Sequence, residues 1–139
     1  MIILDTNVLS ALMRTKPDAE VTAWLDQQPA QSIWITAITM LEARFGIALL
    51  TPGRRRQKIE RVFTKVLRED LEGRVLDFDA ASAERAATLA AERQRAGQSV
   101  DFRDTQIAGI VLARHGTFAT RNTKHFRDLS VAVINPWDT

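Results

Sequence analysis

Short apolar runs alternate along the chain with longer segments in which apolar residues recur every three or four positions. Short runs rich in branched residues predict buried strands, and the longer period predicts amphipathic helices. Strands that alternate with helices are typical of an α/β protein whose parallel sheet is covered on both faces. The predicted strands are Ile2–Leu4, Ile33–Thr36, Val75–Phe78, Thr117–Thr120 and Val131–Ile134, and the predicted helices are 8–13, 17–25, about 36–49, 54–70, 80–96 and 102–115.

Proline and glycine residues lie where the predicted helices end. Pro52 and Gly53 stop the third helix, and Gly97 and Gly116 stand where a glycine commonly ends a helix. The 139 residues contain no repeat, low-complexity block or linker. We therefore expect one domain over residues 1–139, large enough for one hydrophobic core.

The composition excludes several kinds of functional site. With 19 basic and 17 acidic residues the formal charge is +2, and there is no cysteine. A disulfide framework, a zinc finger and a thiol nucleophile are excluded. The first residues are too short for a signal peptide, and no segment approaches the ~18 apolar residues of a membrane span. A cytoplasmic protein that does not bind membrane is expected.

Acidic and amide side chains follow the predicted strands or lie on the helices that come next. In open parallel sheets ligands bind beyond the carboxyl ends of the strands, so these side chains are candidates for one site. Carboxylates without histidine or cysteine partners favour a hard divalent cation such as Mg²⁺. The candidates are Asp5, Glu42, Asp101, Asp104 and Asn122, with the hydroxyls of Thr6 and Thr120 as groups that would orient the carboxylates.

Each candidate also has a purely structural explanation. Asp5 fits a helix N-cap, and Thr39 with Glu42 matches a capping box. Asp104 fits an acid in the first turn of a helix, and Asn122 fits a turn. A capping box is disfavoured if the helix begins near Thr36, because Glu42 then lies beyond its first turn.

One predicted helix carries a stripe of cations. Spacings of four, three, four and three place them on one face, opposite the apolar face. Such a cluster is either a solvated face or a surface that binds phosphates or an acidic partner. The stripe consists of Arg54, Lys58, Arg61, Lys65 and Arg68, of which the first four are predicted to contact RNA or a partner.

Four segments in order along the chain carry a family resemblance. Residues 3–9 read Ile-Leu-Asp-Thr-Asn-Val-Leu, and residues 35–46 read Ile-Thr-Ala-Ile-Thr-Met-Leu-Glu-Ala-Arg-Phe-Gly. Residues 104–109 read Asp-Thr-Gln-Ile-Ala-Gly, and residues 119–126 read Ala-Thr-Arg-Asn-Thr-Lys-His-Phe. On these segments the sequence resembles the PIN-domain ribonucleases, in particular the VapC-type toxins of toxin–antitoxin pairs.

The resemblance implies a fold and a chemistry. The fold is a three-layer α/β/α sandwich around a mostly parallel five-stranded sheet, and the activity is Mg²⁺- or Mn²⁺-dependent hydrolysis of RNA. Asp5, Glu42 and Asp104 match the family's catalytic acids, and Asp5 and Asp104 match those most directly tied to metal. Asn122 stands where many members carry a fourth acid, which weakens the expectation of a second metal site.

The resemblance also implies partners: an RNA substrate, a cognate antitoxin, a second copy of the chain, and operator DNA bound through the antitoxin in a hetero-oligomer. Two alternative functions stay open at this point. One is a catalytically weak PIN-like binding module, favoured by Asn122. The other is an Asp-based phosphoryl-transfer or receiver domain, which would use Asp5 as the phosphate acceptor.

Overall fold

Five parallel strands form the centre of the molecule in this computed structural model, which describes residues 1–138. The strand order is β3-β2-β1-β4-β5, and every pairing is parallel. The first strand of the chain is therefore the middle strand of the sheet. The strands are β1 (Ile2–Leu4), β2 (Ile33–Thr36), β3 (Val75–Leu76), β4 (Thr117–Ala119) and β5 (Val133–Ile134).

Helices cover both faces of the sheet. Neighbouring residues of a strand point to opposite faces, and Ile3 and Leu4 of β1 accordingly enter two different apolar clusters. Ile3 packs with the fifth and sixth helices, and Leu4 packs with the first, second and fourth. The helices are α1 (Thr6–Met13), α2 (Ala19–Asp26), α3 (Ala37–Ala48), α4 (Arg54–Lys65), α5 (Ala80–Arg95) and α6 (Phe102–Arg114).

This architecture confirms the predicted three-layer α/β/α sandwich and its parallel five-stranded sheet. The observed β3, β4 and β5 are shorter than predicted, and α4 ends at Lys65 and continues as a π-helical turn over Val66–Asp70. No helix within residues 1–138 is long and apolar enough to cross a membrane.

The end of α6 differs from the prediction. His115, not Gly116, takes the left-handed conformation that closes the helix, with φ 54° and ψ 34°. Gly116 serves another purpose, because a Cβ there would lie 2.8 Å from the Cδ1 of Ile3. Gly116 therefore lies against the Ile3 side chain of β1, and the left-handed backbone conformation falls on His115 instead.

The apolar stripe of α3 does not face the core along its whole length. Leu41, Phe45 and Leu49 are 53, 52 and 70% exposed, whereas Ile47 on the other side of the helix is buried. Successive members of the exposed set are four residues apart and so share one face. The helix predicted from their spacing is present, but the face it presents is open to solvent.

Candidate active site

Asp5 stands directly after the central strand. Its backbone N–H donates to the carbonyl of Ala119 at 2.8 Å, which extends the β1–β4 pairing by one step. Its Oδ1 accepts from the N–H of Thr6 at 2.8 Å, so Asp5 is the N-cap of α1. The side chain is only 5% exposed. The capping explanation is therefore correct, and it leaves Oδ2 aimed at other groups.

Two side chains hold the second oxygen of Asp5. The hydroxyl of Thr120 donates to Oδ2 at 2.7 Å, and the Nδ2 of Asn7 donates to it at 3.3 Å. The Oδ1 of Asn7 accepts from the N–H of Arg121 at 3.2 Å, which fixes the direction of the amide. The carboxylate is thus held in one orientation from both sides of the β1–β4 seam.

Glu42 reaches the same region from α3. That helix begins at Ala37, and its N-cap is Thr36, whose hydroxyl accepts from the N–H of Thr39 at 3.0 Å. Glu42 therefore lies beyond the first turn, and the capping box is excluded. Its Oε1 instead accepts from the hydroxyl of Thr6 at 2.9 Å.

A chain of hydroxyls supports this contact. Thr36 Oγ1 donates to Thr39 Oγ1 at 3.2 Å, and Thr39 Oγ1 lies 3.3 Å from Thr6 Oγ1. Thr6 has one hydroxyl hydrogen, which goes to Glu42, so Thr39 is the donor in the last contact. Both Thr36 and Thr39 are fully buried. The orientation of Glu42 is thereby tied to the core of the β2–α3 junction.

Asp104 lies in the first turn of α6. Asp101 is the N-cap of that helix and accepts from the N–H of Asp104 at 3.1 Å. The Oδ2 of Asp104 lies 3.3 Å from the Nε2 of His125, and each of these side chains is 33% exposed. Asp101 is thus engaged in capping, while the carboxylate of Asp104 stays open toward the site.

The turn that carries His125 is anchored from α5. Arg93 is 2% exposed, and its guanidinium donates to both carboxylate oxygens of Asp128 at 2.8 and 2.9 Å. It also donates to the carbonyl of His125 at 3.0 Å. A bidentate pair of this kind is geometrically specific, and its arginine is buried although Asp128 is partly exposed. It therefore positions the backbone of His125 beside Asp104.

The pKa values of Asp5 and Asp104 show that acidic groups interact at this edge of the sheet. The pKa of Asp5 is raised to about 6, mainly by burial and also by the charges of Asp104 and Glu42, against the hydrogen bonds from Thr120 and Thr6, which lower it. Burial and the nearby Asp101 also raise the pKa of Asp104, against His125, Arg93 and Arg103. Negative charge is crowded at this edge of the sheet, and a cation would relieve it.

The remaining predicted residues lie nearby or farther out. The N–H of Asn122 donates to Thr120 Oγ1 at 3.1 Å, and its side-chain amide has no hydrogen bond within residues 1–138. Lys58 lines a cleft that leads away from Glu42. Arg61 and Lys65 line a separate depression on α4, and Arg54 lines neither.

Comparison with known proteins now adds to this geometry. The model of the PIN domain matches residues 2–131. The chain belongs to the PIN-domain family. Three similar proteins are the plasmid stability protein StbB of Pseudomonas syringae pv. tomato (40% identical), the VapC ribonuclease Y4jK of Sinorhizobium fredii (37%) and the toxin FitB of Neisseria gonorrhoeae (35%). Each alignment covers 99% of both chains.

Solved structures agree with this assignment to the PIN-domain family. The structure of FitAB bound to an IR36 DNA fragment is similar with a TM-score of 0.88 and 37% identity, covering 99% of this chain and 96% of that one. The structure of FitAcB from Neisseria gonorrhoeae gives a TM-score of 0.85 and 36% identity over the whole of both chains. The PIN fold of this chain is thus shared over its length.

The donor set of this PIN domain fits a hard cation. Across residues 1–138, no group of three histidine or acidic side chains is arranged to hold a metal ion by itself. Mg²⁺ does not need such a cage, since it is commonly held by one or two carboxylates, waters and substrate phosphates. The carboxylates of Asp5, Glu42 and Asp104 are oxygen donors of the kind that this mode of binding uses.

Sequence reasoning missed several residues of the PIN-domain site. Asn7 and His125 lie inside the resembling segments but are not among the predicted site residues, and Thr39 is predicted only as a helix cap. Arg93 lies outside all four segments. A polar residue two positions after Asp5 was a usable signal for Asn7. Nothing in the sequence connects Arg93 with residue 125, because that contact exists only once α5 packs beside the turn.

Proposed function

We propose that this chain is a metal-dependent endoribonuclease that acts as the toxin of a toxin–antitoxin pair. One observation carries the proposal: Glu42 and Asp104, from two distant segments, add their charges to that of the buried Asp5. The names of its relatives, a VapC ribonuclease and a toxin, support this function. The single domain is taken to be residues 1–139, and the compartment to be the cytoplasm.

Asp5 and Asp104 are the proposed metal ligands, with Glu42, Thr6, Thr120, Asn122 and Asp101 as lesser candidates for the surrounding shell. The fully held orientation of Asp5 supports its place as ligand, since a fixed carboxylate needs no reordering when an ion binds. Bound Mg²⁺ or Mn²⁺ supplies Lewis acidity toward the scissile phosphate.

Glu42 is proposed to act on the attacking water. One oxygen of its carboxylate takes the Thr6 hydroxyl, which leaves the other free to accept a proton from water. The oxygen of that water then bonds to phosphorus, and the bond from phosphorus to the 3′ oxygen breaks. The leaving oxygen takes a proton from solvent, and the products carry a 3′-hydroxyl and a 5′-phosphate.

Cleavage of RNA by the purified protein tests the proposal. We expect cleavage with Mg²⁺ or Mn²⁺, none with EDTA, and a fall of at least ~100-fold for Asp5→Asn and for Asp104→Asn. Glu42→Gln keeps the hydrogen bond from Thr6 but cannot take a proton, so it should lose activity while still binding metal. Asp79→Asn, at the N-cap of α5 and outside the acidic site, is the matched control, since asparagine also caps helices. Undiminished cleavage by both aspartate variants would reject the site.

The alternative of a catalytically weak binding module rests on Asn122, which is neutral where many relatives carry an acid. Titration with Mn²⁺, followed by thermal unfolding, separates the two functions, because an ion bound only by the folded state raises the unfolding temperature. The phosphoryl-transfer alternative is disfavoured. Asp5 is 5% exposed and both its oxygens accept hydrogen bonds, so it is a poor nucleophile.

The proposed partners are an antitoxin, RNA and a second copy of the chain. The similar structure of FitAB is bound to an IR36 DNA fragment, which supports a hetero-oligomer that binds operator DNA through the antitoxin. The exposed apolar face of α3 supports a homodimer, because contiguous apolar surface of this kind usually marks an interface.

A further inference from the structure

A cleft of about 620 Å³ leads away from the acidic site between α1, α3 and α4. Thr6 and Glu42 line one end of it. Its floor is aliphatic, and Gly46 leaves a gap in the α3 wall, with no other atom within 4 Å of where a Cβ would stand. The floor residues are Met13, Ile47, Leu50 and Ile59.

The walls of this cleft are cationic. Arg14, Lys16, Arg55 and Lys58 face it, and Glu42 is its one acid. Arg14 is paired with Asp18 at 3.4 Å, but the other three cations form no ion pair among residues 1–138. A chain that is negative throughout its length would therefore be attracted here, beginning at the catalytic carboxylates.

Helix α4 separates two sets of cations that the sequence pattern joins in one stripe. Arg55 and Lys58, three residues apart, face the cleft. Arg61, Lys65 and Arg68 line the other depression together with two acids, and Lys65 lies 4.0 Å from Glu69. Members of the predicted stripe thus line two different surfaces, and Arg55, which is not in the stripe, lies beside Lys58 at the cleft.

We propose that this cleft binds the RNA strand on one side of the scissile phosphate, with Arg55, Lys58 and Lys16 contacting its backbone phosphates. This inference rests on the proposed function. A strand cleaved beside Glu42 must continue away from it, and this cleft begins there and carries opposite charge. The aliphatic floor contacts unstacked bases without offering hydrogen bonds, so the cleft positions the strand without reading its sequence.

The test compares two double variants that remove the same charge from the same helix. Both are made in an Asp104→Asn background, and binding of a single-stranded RNA oligonucleotide of mixed sequence is measured at several salt concentrations. Arg55→Gln with Lys58→Gln should weaken binding about ten-fold and lower the slope of log affinity against log salt by about 1.4. The matched pair Arg61→Gln with Lys65→Gln should leave that slope nearly unchanged.

A second variant checks the cleft without removing charge. Gly46→Leu puts a side chain into the gap, and it should weaken RNA binding while raising the unfolding temperature, because leucine is the better helix former. With active protein, the Arg55/Lys58 variant should raise KM more than it lowers kcat.

Two results would overturn the inference. Equal losses for both double variants would mean a general attraction rather than a cleft. No loss for either, the result expected if the cleft receives a protein segment, would mean that RNA lies elsewhere. Neither result would touch the proposed function, which fails only if the unmodified chain does not cleave RNA with added metal.

Discussion

A single residue, Asp5, does two jobs with the two oxygens of one carboxylate. One oxygen caps α1, and the other takes donors from Thr120 and Asn7. Capping and catalysis are usually offered as competing explanations of an aspartate after a strand. Here the cap fixes the carboxylate that the proposed chemistry uses, so the two explanations describe one arrangement.

Replacing Asp5 by asparagine should make the metal-free protein relatively more stable as pH rises, because the buried carboxylate then no longer has to ionise. The pKa of Asp5 is raised to about 6 from its ordinary 3.8, so the folded state holds a proton that the unfolded state has lost between these values. Ionisation costs stability as pH rises through this window. We compare the free energy of unfolding of Asp5→Asn with that of the parent protein. This difference should be up to about 3 kcal/mol more favourable to the variant at pH 7 than below pH 3.8. Urea unfolding in EDTA across this pH range measures it.

Asp79 supplies the matched control, since it is the N-cap of α5 and its Oδ1 accepts from Ser82. The hydrogen bonds from Ser82 lower the pKa of Asp79. Its contribution is present above pH 3.8 and is lost as pH falls through the lowered pKa, so Asp79→Asn should change stability with pH in the opposite direction. A pH-independent effect of Asp5→Asn would contradict the assignment.

Elements were largely predictable because their signal is local. The positions of the five strands follow from the apolar runs, although β3, β4 and β5 are shorter than predicted. The start of α3 follows from Thr36 as its cap. The local pattern did not predict features that depend on contacts between residues far apart in the sequence. Gly116 is predicted to end α6, but His115 closes that helix and Gly116 packs against Ile3 of β1. The exposure of Leu49 and the support of His125 by Arg93 likewise depend on which elements become neighbours.

The α5–α6 pair depends on one small residue. A Cβ at Gly109 would lie 2.5 Å from the backbone carbonyl oxygen of Ser82 and 2.8 Å from the Cβ of Ala86. Backbone cannot move aside as a side-chain end can, so Gly109→Ala should destabilise the fold by about 3 kcal/mol. Gly46→Ala, in open space on α3, should instead stabilise it by about 0.5–1 kcal/mol. Urea unfolding of both variants measures these changes in the free energy of unfolding. Equal changes for the two variants would contradict the close packing of α5 and α6 at Gly109.

At the scale of the whole molecule, acidic and basic side chains are concentrated in different regions of the structure. The formal charge of +2 hides an acidic edge at Asp5, Glu42 and Asp104 and a cationic cleft beside it. Composition predicted neither, because net charge does not record position. The cleft required knowing that α1 and α4 pack on the same side of the sheet.

The exposed face of α3 gives the prediction for assembly. If Leu41, Phe45 and Leu49 are covered by a second copy, the protein should sediment at about twice its 15.6 kDa. Phe45→Lys with Leu49→Lys should then yield a folded monomer, as an unpaired charge is not tolerated in an apolar interface. Lys58→Glu, on α4, is a control that should leave the mass unchanged. A monomeric parent chain would contradict the homodimer.

The place of β1 in the sheet has a consequence for how the protein is made. Strand β1 leaves the ribosome before the other four strands and becomes the central one. Its partner β4 begins only at residue 117, and the hydroxyl that holds Asp5 belongs to a residue 115 positions later. Domains fold as their chain emerges, and contacts this distant in sequence form last. The nascent chain therefore has no assembled acidic site until Thr120 has been synthesised. A nascent chain that stops short of this residue would lack the proposed ribonuclease activity.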